Sequence, residues 1–185
     1  MKETVQEIQV ADTSYQRVAP RRRMLGQLAG ITAAVPLGLL ASAQPALAAS
    51  DLKNNFLGMI KAWNDHDSAK IASYFIDDCT YTDIALEVVH HGKKEVIAFA
   101  DGTFIGFPDF TIDIKSCFAG DDSVAAEWDM IMSWKGPYPS LGPTPDGKTY
   151  RLKGASVSHF SKTGKIVRNT DFWNLNAFIQ QMKKI

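Results

Sequence analysis

The sequence is short of cysteine, has no net charge and lacks a long uninterrupted apolar run. Two cysteines in 185 residues cannot build a disulfide-stapled mini-protein or a four-cysteine zinc site. The 20 basic residues balance the 20 acidic ones, so there is no electrostatic case for nucleic acid as a partner. With 45% hydrophobic and 22% charged residues, the composition is that of a globular protein rather than a disordered one.

Residues 1–48 are predicted to be an N-terminal leader. Three arginines, Arg21 to Arg23, precede an apolar run from Leu28 to about Ala43 that a proline and a glycine interrupt. This run is too short for a comfortable transmembrane span, which needs about 20 apolar residues. The small residues of Ala46-Leu47-Ala48 are typical of a cleavage site, so the three parts indicate a secretory signal. The paired arginines indicate the bacterial twin-arginine route.

We therefore expect an exported protein, periplasmic or secreted, whose leader engages the export machinery. A leader that is not cleaved would leave the protein anchored in the membrane. In either case, residues 49–185 are expected to form the functional domain, which is long enough to bury one hydrophobic core.

Within residues 49–185, helical periodicity comes first and strand alternation follows. Three helices are predicted: one that Ser50 or Asp51 caps and that runs to about Asn64, one from Ser68 to Phe75, and one from Lys93 to about Phe104. Strands are predicted at residues 79–83, 112–118, 126–134, 150–160 and 165–173, before a helical turn at residues 175–182. This order indicates an α+β fold with helices on one face of a single sheet.

Two details of the strand region bear on a site. Alternation predicts that Ile112, Ile114 and Phe118 share one face of their strand. Residues 136–147 hold four prolines and are predicted to form a long loop, the kind of segment that often borders a site.

Seven short motifs follow one another along residues 52–182. They are Ala62-Trp63-Asn64, Tyr74-Phe75-x-Asp77-Asp78, His91-Gly92-Lys93, Phe107-Pro108-Asp109-Phe110, Pro145-x-Gly147-Lys148, Gly164-Lys165-Ile166-Val167 and Thr170-Asp171-Phe172-Trp173-Asn174. In this order and spacing they resemble the nuclear transport factor 2-like superfamily and, within it, the SnoaL-like polyketide cyclase group. The resemblance implies a cone-shaped, curved sheet, antiparallel or mixed, with three N-terminal helices over its concave face and a conical pocket. It implies less about function, because this fold hosts many unrelated activities.

Asp171 is the leading candidate for a catalytic residue. It is expected to share a face of the last strand with Asn169 and Trp173, where burial raises the pKa of a carboxyl by disfavouring its charged form. Such a group can move protons near neutral pH. The resemblance gives it the removal of an α-proton before ring closure, although many relatives have Asp where this chain has Asn174. The alternative is an ion pair on the outer face or a cap of the last helix.

Three further residues are candidates for the same chemistry. Tyr81 and Asp83 are expected on one face of the first strand, where Tyr81 could donate to a developing enolate oxygen; otherwise the two form an ordinary strand end. His159 could polarise a carbonyl or shuttle a proton, or it is a surface or hydrogen-bonded histidine of the sheet. His90 and His91 point to opposite faces of a strand, so no metal site is expected.

The pocket wall is expected to be apolar and aromatic. The residues assigned to it are Trp63, Trp128, Met130, Met132 and Trp173, with Asn174 beside them. These side chains suit a flat hydrophobic ligand, and in a domain of this size they equally suit a hydrophobic core.

The sequence favours an enzyme that needs no cofactor and acts on a hydrophobic small molecule with a carbonyl group. Asp171 would take a proton next to the carbonyl, and Tyr81, His159 or Asn174 would steady the enolate, leading to cyclisation, isomerisation or dehydration. One alternative is a non-catalytic protein that binds a hydrophobic ligand outside the cytoplasm, which Asn174 and the lack of a tight carboxylate pair favour. The other is a dimeric interaction module, with the open sheet face serving a homodimer.

Overall fold

The computed structural model describes residues 48–138 and 145–183. The predicted leader, apart from Ala48, lies outside the described residues, and so do the export predictions drawn from it. No helix in the described ranges is both long enough and apolar enough to cross a membrane.

Four helices and six strands make up the described part of the chain. In chain order they are α1 (Ala49–Asn64), α2 (Ser68–Ser73), β1 (Phe75–Asp83), β2 (Val88–His91), α3 (Gly92–Gly106), β3 (Thr111–Ala119), β4 (Ser123–Ser133), β5 (Thr149–Phe160), β6 (Ile166–Trp173) and α4 (Leu175–Lys183). One sheet holds all six strands in the order β2-β1-β6-β5-β4-β3. Only β1 and β6 pair in parallel. The predicted α+β fold, a curved mixed sheet with helices packed against it, is confirmed.

The first helix forms because its apolar residues recur on one stripe that the sheet can bury. Leu52, Phe56 and Trp63 in this stripe are at most 2% exposed. The helix has no side-chain cap at its start, so the prediction that Ser50 or Asp51 caps it is wrong.

The first strand begins earlier than the sequence indicates. Helix α2 ends at Ser73, and Phe75 already pairs with Ile166 of β6, where both side chains are fully buried. The predicted extension of this helix to Phe75 is therefore wrong, because a long-range strand pairing outweighs the local helical pattern. The short strand β2 pairs with β1 and places His90 opposite Tyr81.

A β-bulge in β3 changes which side chains face the core. The pairing with β4 shifts by one residue between Ile114 and Ser116, so that Cys117 packs against the core. Phe118 is 69% exposed, and the prediction that it shares a face with Ile112 is wrong. A shift of one residue reverses the faces because side chains alternate along a strand.

The two faces of the sheet differ in character. The concave face carries the apolar core, which α4 closes through Phe178, whose ring centroid lies 4.5 Å from that of Tyr150. The outer face carries charges, and Lys153 Nζ donates to Asp129 Oδ1 there at 2.9 Å. The homodimer expected on this outer face stays a prediction.

Gly154 of β5 leaves room for the large Trp128 side chain of β4. The two residues pair across the strands, and a Cβ on Gly154 would lie 2.2 Å from the Trp128 ring. The ring is buried, and its Nε1 donates to Ser156 Oγ at 2.9 Å. The absence of a side chain at position 154 therefore permits both the packing and the hydrogen bond of Trp128.

Replacing Gly154 with alanine is expected to destabilise the domain by about 1–3 kcal/mol, because overpacking displaces the Trp128 ring. The matched control is Gly102→Ala in α3, where a Cβ would have no neighbour within 4 Å. Alanine there should stabilise the helix by roughly 0.5–1 kcal/mol. Urea unfolding measures both, and an unchanged midpoint for Gly154→Ala would contradict this account of the packing.

Candidate active site

A cavity of about 60 Å³ opens on the concave face of the sheet and reaches α1 and α3. Its wall is apolar and aromatic, and besides the indole N–H groups of three tryptophans its polar groups are two carboxyls, two phenols and a threonine hydroxyl. Five of the residues predicted for the pocket wall line it: Trp63, Trp128, Met130, Met132 and Trp173. Core and pocket wall are therefore the same surface in this domain.

Asp171 faces this cavity from β6 and accepts three hydrogen bonds. Strand register places it between Ser156 of β5 and Asp83 of β1. Ser156 Oγ donates to Asp171 Oδ1 at 2.6 Å, and Asn169 Nδ2 donates to the same oxygen at 2.9 Å. Tyr81 Oη donates to Oδ2. Because each carboxylate oxygen can accept about two hydrogen bonds, Oδ2 keeps capacity for a ligand.

Two chains of hydrogen bonds orient the donors of Asp171. Trp128 Nε1 donates to Ser156 Oγ, which leaves the serine proton for the carboxyl. Ser158 Oγ donates to Asn169 Oδ1 at 2.6 Å, which turns the amide nitrogen toward Asp171. Ser158 and Asn169 are fully buried. The donors are therefore fixed in place before any ligand arrives.

Asp83 is the second carboxyl of the cavity. It pairs with Asp171 in the register of β1 and β6, and neighbouring strands lie only about 4.8 Å apart. Trp173 Nε1 donates to both Asp83 oxygens at 2.9 and 3.0 Å, and Leu86 N donates to Oδ1 at 3.0 Å. The parallel pairing of two strands distant in sequence therefore brings two carboxyls to the same cavity. The expected lack of a tight carboxylate pair stays a prediction.

Both carboxyls have raised pKa values. Burial, and to a smaller extent the Asp83 charge, raises the pKa of Asp171 to about 6 against the lowering effect of its hydrogen bonds. Burial also raises the pKa of Asp83. Among the described residues neither carboxyl forms an ion pair, and the described lining of the cavity includes no basic residue. The cavity thus holds a carboxyl that exchanges its proton near neutral pH.

Tyr81 brings its phenol to the same carboxyl. Burial first, and then the Asp171 charge, raises the pKa of Tyr81 well above its usual value. The hydroxyl therefore stays protonated and acts as a donor. At 4% and 5% exposure, Tyr81 and Asp83 are parts of the cavity rather than an exposed strand end.

Two predicted site residues lie elsewhere, and their assignment is corrected. His159 occupies the outer face of β5, because the neighbouring Ser158 points inward to Asn169. Asn174 follows β6 and is exposed, and its Oδ1 accepts a hydrogen bond from Ala177 N at 3.0 Å at the start of α4. Neither side chain is in a position to steady an enolate in the cavity.

The neighbouring histidines are separated as expected. His90 stacks on Phe99 with ring centroids 4.4 Å apart, and burial lowers its pKa. Its Nε2 is buried with no hydrogen-bond partner among the described residues. His91 is exposed. Within residues 48–138 and 145–183, no group of three or more His, Cys, Asp and Glu side chains is arranged to hold a metal ion.

Tyr138 is a cavity residue that no sequence pattern predicted. It supplies the second phenol of the lining, and burial raises its pKa so that it also stays protonated. It lies in the segment after β4 that the prolines mark as a loop bordering a site. That signal was present in the sequence, but it did not single out one residue.

The family of the protein follows from comparison with known sequences. A model described as the SnoaL-like domain matches residues 56–169, which is more than half of the chain. The chain therefore belongs to the SnoaL-like domain family. The match ends before Asp171, so the interpretation of that residue rests on the geometry of the cavity.

Three named proteins are similar to this chain in sequence or in structure. The cyclase AurE of Calcarisporium arbuscula is 28% identical over 102 residues, which cover 55% of this chain and 71% of the relative. A candidate SnoaL-like polyketide cyclase from Shewanella denitrificans OS-217 superposes with a TM-score of 0.65 at 20% identity, covering 72% of this chain and 98% of its own. A protein from Catenulispora acidiphila DSM 44928 with a ketosteroid isomerase-like fold gives 0.59 at 18% identity, covering 69% and 90%.

The raised pKa of Asp171 predicts how stability depends on pH. The carboxyl titrates at 3.8 in the unfolded chain and at about 6 in the folded one, so the unfolded state loses this proton first. The contribution of the protonated Asp171 carboxyl to the free energy of unfolding is therefore complete below pH 3.8 and is lost as the pH rises through 6. Relative to Asp171→Asn, the wild type should lose up to about 3 kcal/mol of unfolding free energy between pH 3 and 7.

Urea unfolding of both proteins at several pH values measures this difference. Asp129→Asn is the control with the opposite sign, because Lys153 lowers the pKa of Asp129. A wild type that gains stability over Asp171→Asn as the pH rises would contradict the raised pKa.

Proposed function

We propose that the protein catalyses acid/base chemistry on a neutral, hydrophobic small molecule that contains a carbonyl group. The observation that carries the proposal is the Asp171 carboxyl, which lines an apolar cavity, accepts hydrogen bonds from neutral donors alone among the described residues and has a pKa of about 6. A group with this pKa is mainly ionised at pH 7 and takes up a proton with little penalty.

The first step is removal of a proton from the carbon next to the carbonyl. Asp171 Oδ2 receives the proton, the C–H electron pair forms the new C=C bond, and the carbonyl π pair moves to oxygen to give the enolate. In a cyclase the enolate carbon then attacks a second carbonyl carbon, and the Asp171 proton goes to the resulting alkoxide. In an isomerase the proton returns to a different carbon. Each route restores Asp171 and requires no oxidant or reductant.

The wall chemistry supports a neutral substrate. Two carboxyls with no basic residue in the described lining repel carboxylates and phosphates.

The cavity, with a volume of about 60 Å³, is small for a ring, since a cavity of about 150 Å³ holds benzene. Met130 and Met132 belong to the wall, and thioether side chains adapt readily to a ligand. The name cyclase, which AurE carries, agrees with the proposed reaction class.

Exchange of α-protons for deuterium tests the proposal without knowledge of the natural substrate. Acetone, cyclohexanone and 2-tetralone form a series of increasing size, and proton NMR in D₂O follows the loss of their α-proton signals. The wild type should accelerate exchange, and the rate should rise with pH through about 6 as Asp171 ionises. Asp171→Asn should lower the rate by about 10²- to 10⁴-fold.

His159→Gln is the matched control, because His159 lies on the outer face of the same sheet and should leave the rate unchanged. Equal rates for the wild type and Asp171→Asn would contradict the proposal. Ketone binding by both proteins, with no exchange by either, would instead favour the alternative of a binding protein.

A further inference from the structure

The two tyrosines of the cavity differ in their relation to the Asp171 carboxyl. Tyr81 donates to the Asp171 carboxyl, in a charge-assisted bond that is stronger than one to a neutral group. Tyr138 lies beside Thr103, whose hydroxyl donates to the Phe99 carbonyl oxygen at 2.9 Å. Among the described residues no carboxyl accepts a hydrogen bond from Tyr138, so its proton is available to a ligand oxygen.

The backbone that carries Tyr138 is fixed against the end of α3. Lys135 N and Gly136 N both donate to the Gly106 carbonyl oxygen, at 2.9 and 3.0 Å. A Cβ on Gly136 would lie 2.0 Å from the Ile105 carbonyl oxygen, and a Cβ on Gly106 would lie 3.0 Å from the Tyr138 ring. The close approach at Gly136 requires glycine, and a side chain at position 106 would displace the Tyr138 ring, so both glycines help to position the phenol.

Tyr138 also lies near the acidic groups of the cavity. Its ring packs on Phe107 with centroids 5.1 Å apart, and it interacts electrostatically with Asp83 and with Tyr81. Tyr138 and Asp171 line the same cavity, so a ligand that fills it meets both.

We propose that Tyr138 donates a hydrogen bond to the carbonyl oxygen of the substrate and stabilises that oxygen as it becomes an enolate, while Tyr81 orients Asp171. The inference rests on the proposed function for its substrate class. Tyr138 keeps its proton throughout, since Asp171 is the group that takes and returns the α-proton. The bond to Tyr138 strengthens as negative charge develops on oxygen, which is the condition for catalysis rather than mere binding.

The exchange assay on Tyr138→Phe tests this role. Loss of one donor to a developing oxyanion costs about 10²- to 10³-fold in rate, so α-proton exchange should fall by that factor. Tyr74→Phe is the matched control, because Tyr74 follows α2 and does not line the cavity. This variant should catalyse α-proton exchange at the wild-type rate.

A binding measurement separates hydrogen bonding from packing. 4-Fluorophenol mimics an enol, and 4-fluorotoluene has a methyl group in place of the hydroxyl; ¹⁹F NMR gives the affinity of each. The wild type should prefer the phenol, and Tyr138→Phe should lose about tenfold of that preference while binding 4-fluorotoluene as before.

The outcomes distinguish this inference from the proposed function. If Tyr138→Phe catalyses α-proton exchange at the wild-type rate, or keeps the wild-type preference for 4-fluorophenol, the role of Tyr138 is overturned and the proposed function still stands. Loss of exchange in Trp63→Phe alone would also overturn it, because the Trp63 indole is the rival donor in the lining. If the wild type exchanges no ketone, the proposed function fails, and the fluorophenol comparison still decides whether Tyr138 is the donor.

Discussion

The site depends on keeping the Asp171 carboxyl in an apolar cavity without a basic partner. Three neutral donors, from Tyr81, Ser156 and Asn169, take the place of a cation. Burial disfavours the charged form more than these bonds favour it, and the net result is a pKa of about 6. A full ion pair would lower that pKa and make the carboxyl a weak base. The balance between burial and hydrogen bonds from neutral donors therefore sets a pKa at which the carboxyl can exchange a proton near neutral pH.

The architecture of the sheet supplies that balance. The parallel pairing of β1 and β6 sets Asp83 beside Asp171, and the antiparallel pairing of β5 and β6 sets Ser156 on its other side. Gly154 gives Trp128 room to reach Ser156 and orient its hydroxyl. Packing and chemistry thus share the same side chains, so a change made to improve the core also alters the site.

Local patterns predicted the helices, the main strands and the apolar surroundings of Asp171, because amphipathic spacing and alternation follow directly from burial. Long-range pairings could not be predicted this way, so the β3 bulge and the pairing of Asp83 with Asp171 were missed.

The wrong assignment of His159 to the cavity has a different cause. The inner face of β5 carries Ser156 and Ser158 as hydrogen-bond donors, so hydrophobicity did not identify the inner face. Tyr138 depends on close approaches of two glycines that no periodicity reveals.

The most direct test of this account is the pKa of Asp171, measured by ¹³C NMR titration of the carboxyl with Asp171→Asn to assign the resonance. The account predicts a value of about 6, rising further in Tyr81→Phe because a bond to the charged form is lost. A value at or below 3.8 would place the carboxyl in water or in an ion pair and would contradict the central claim.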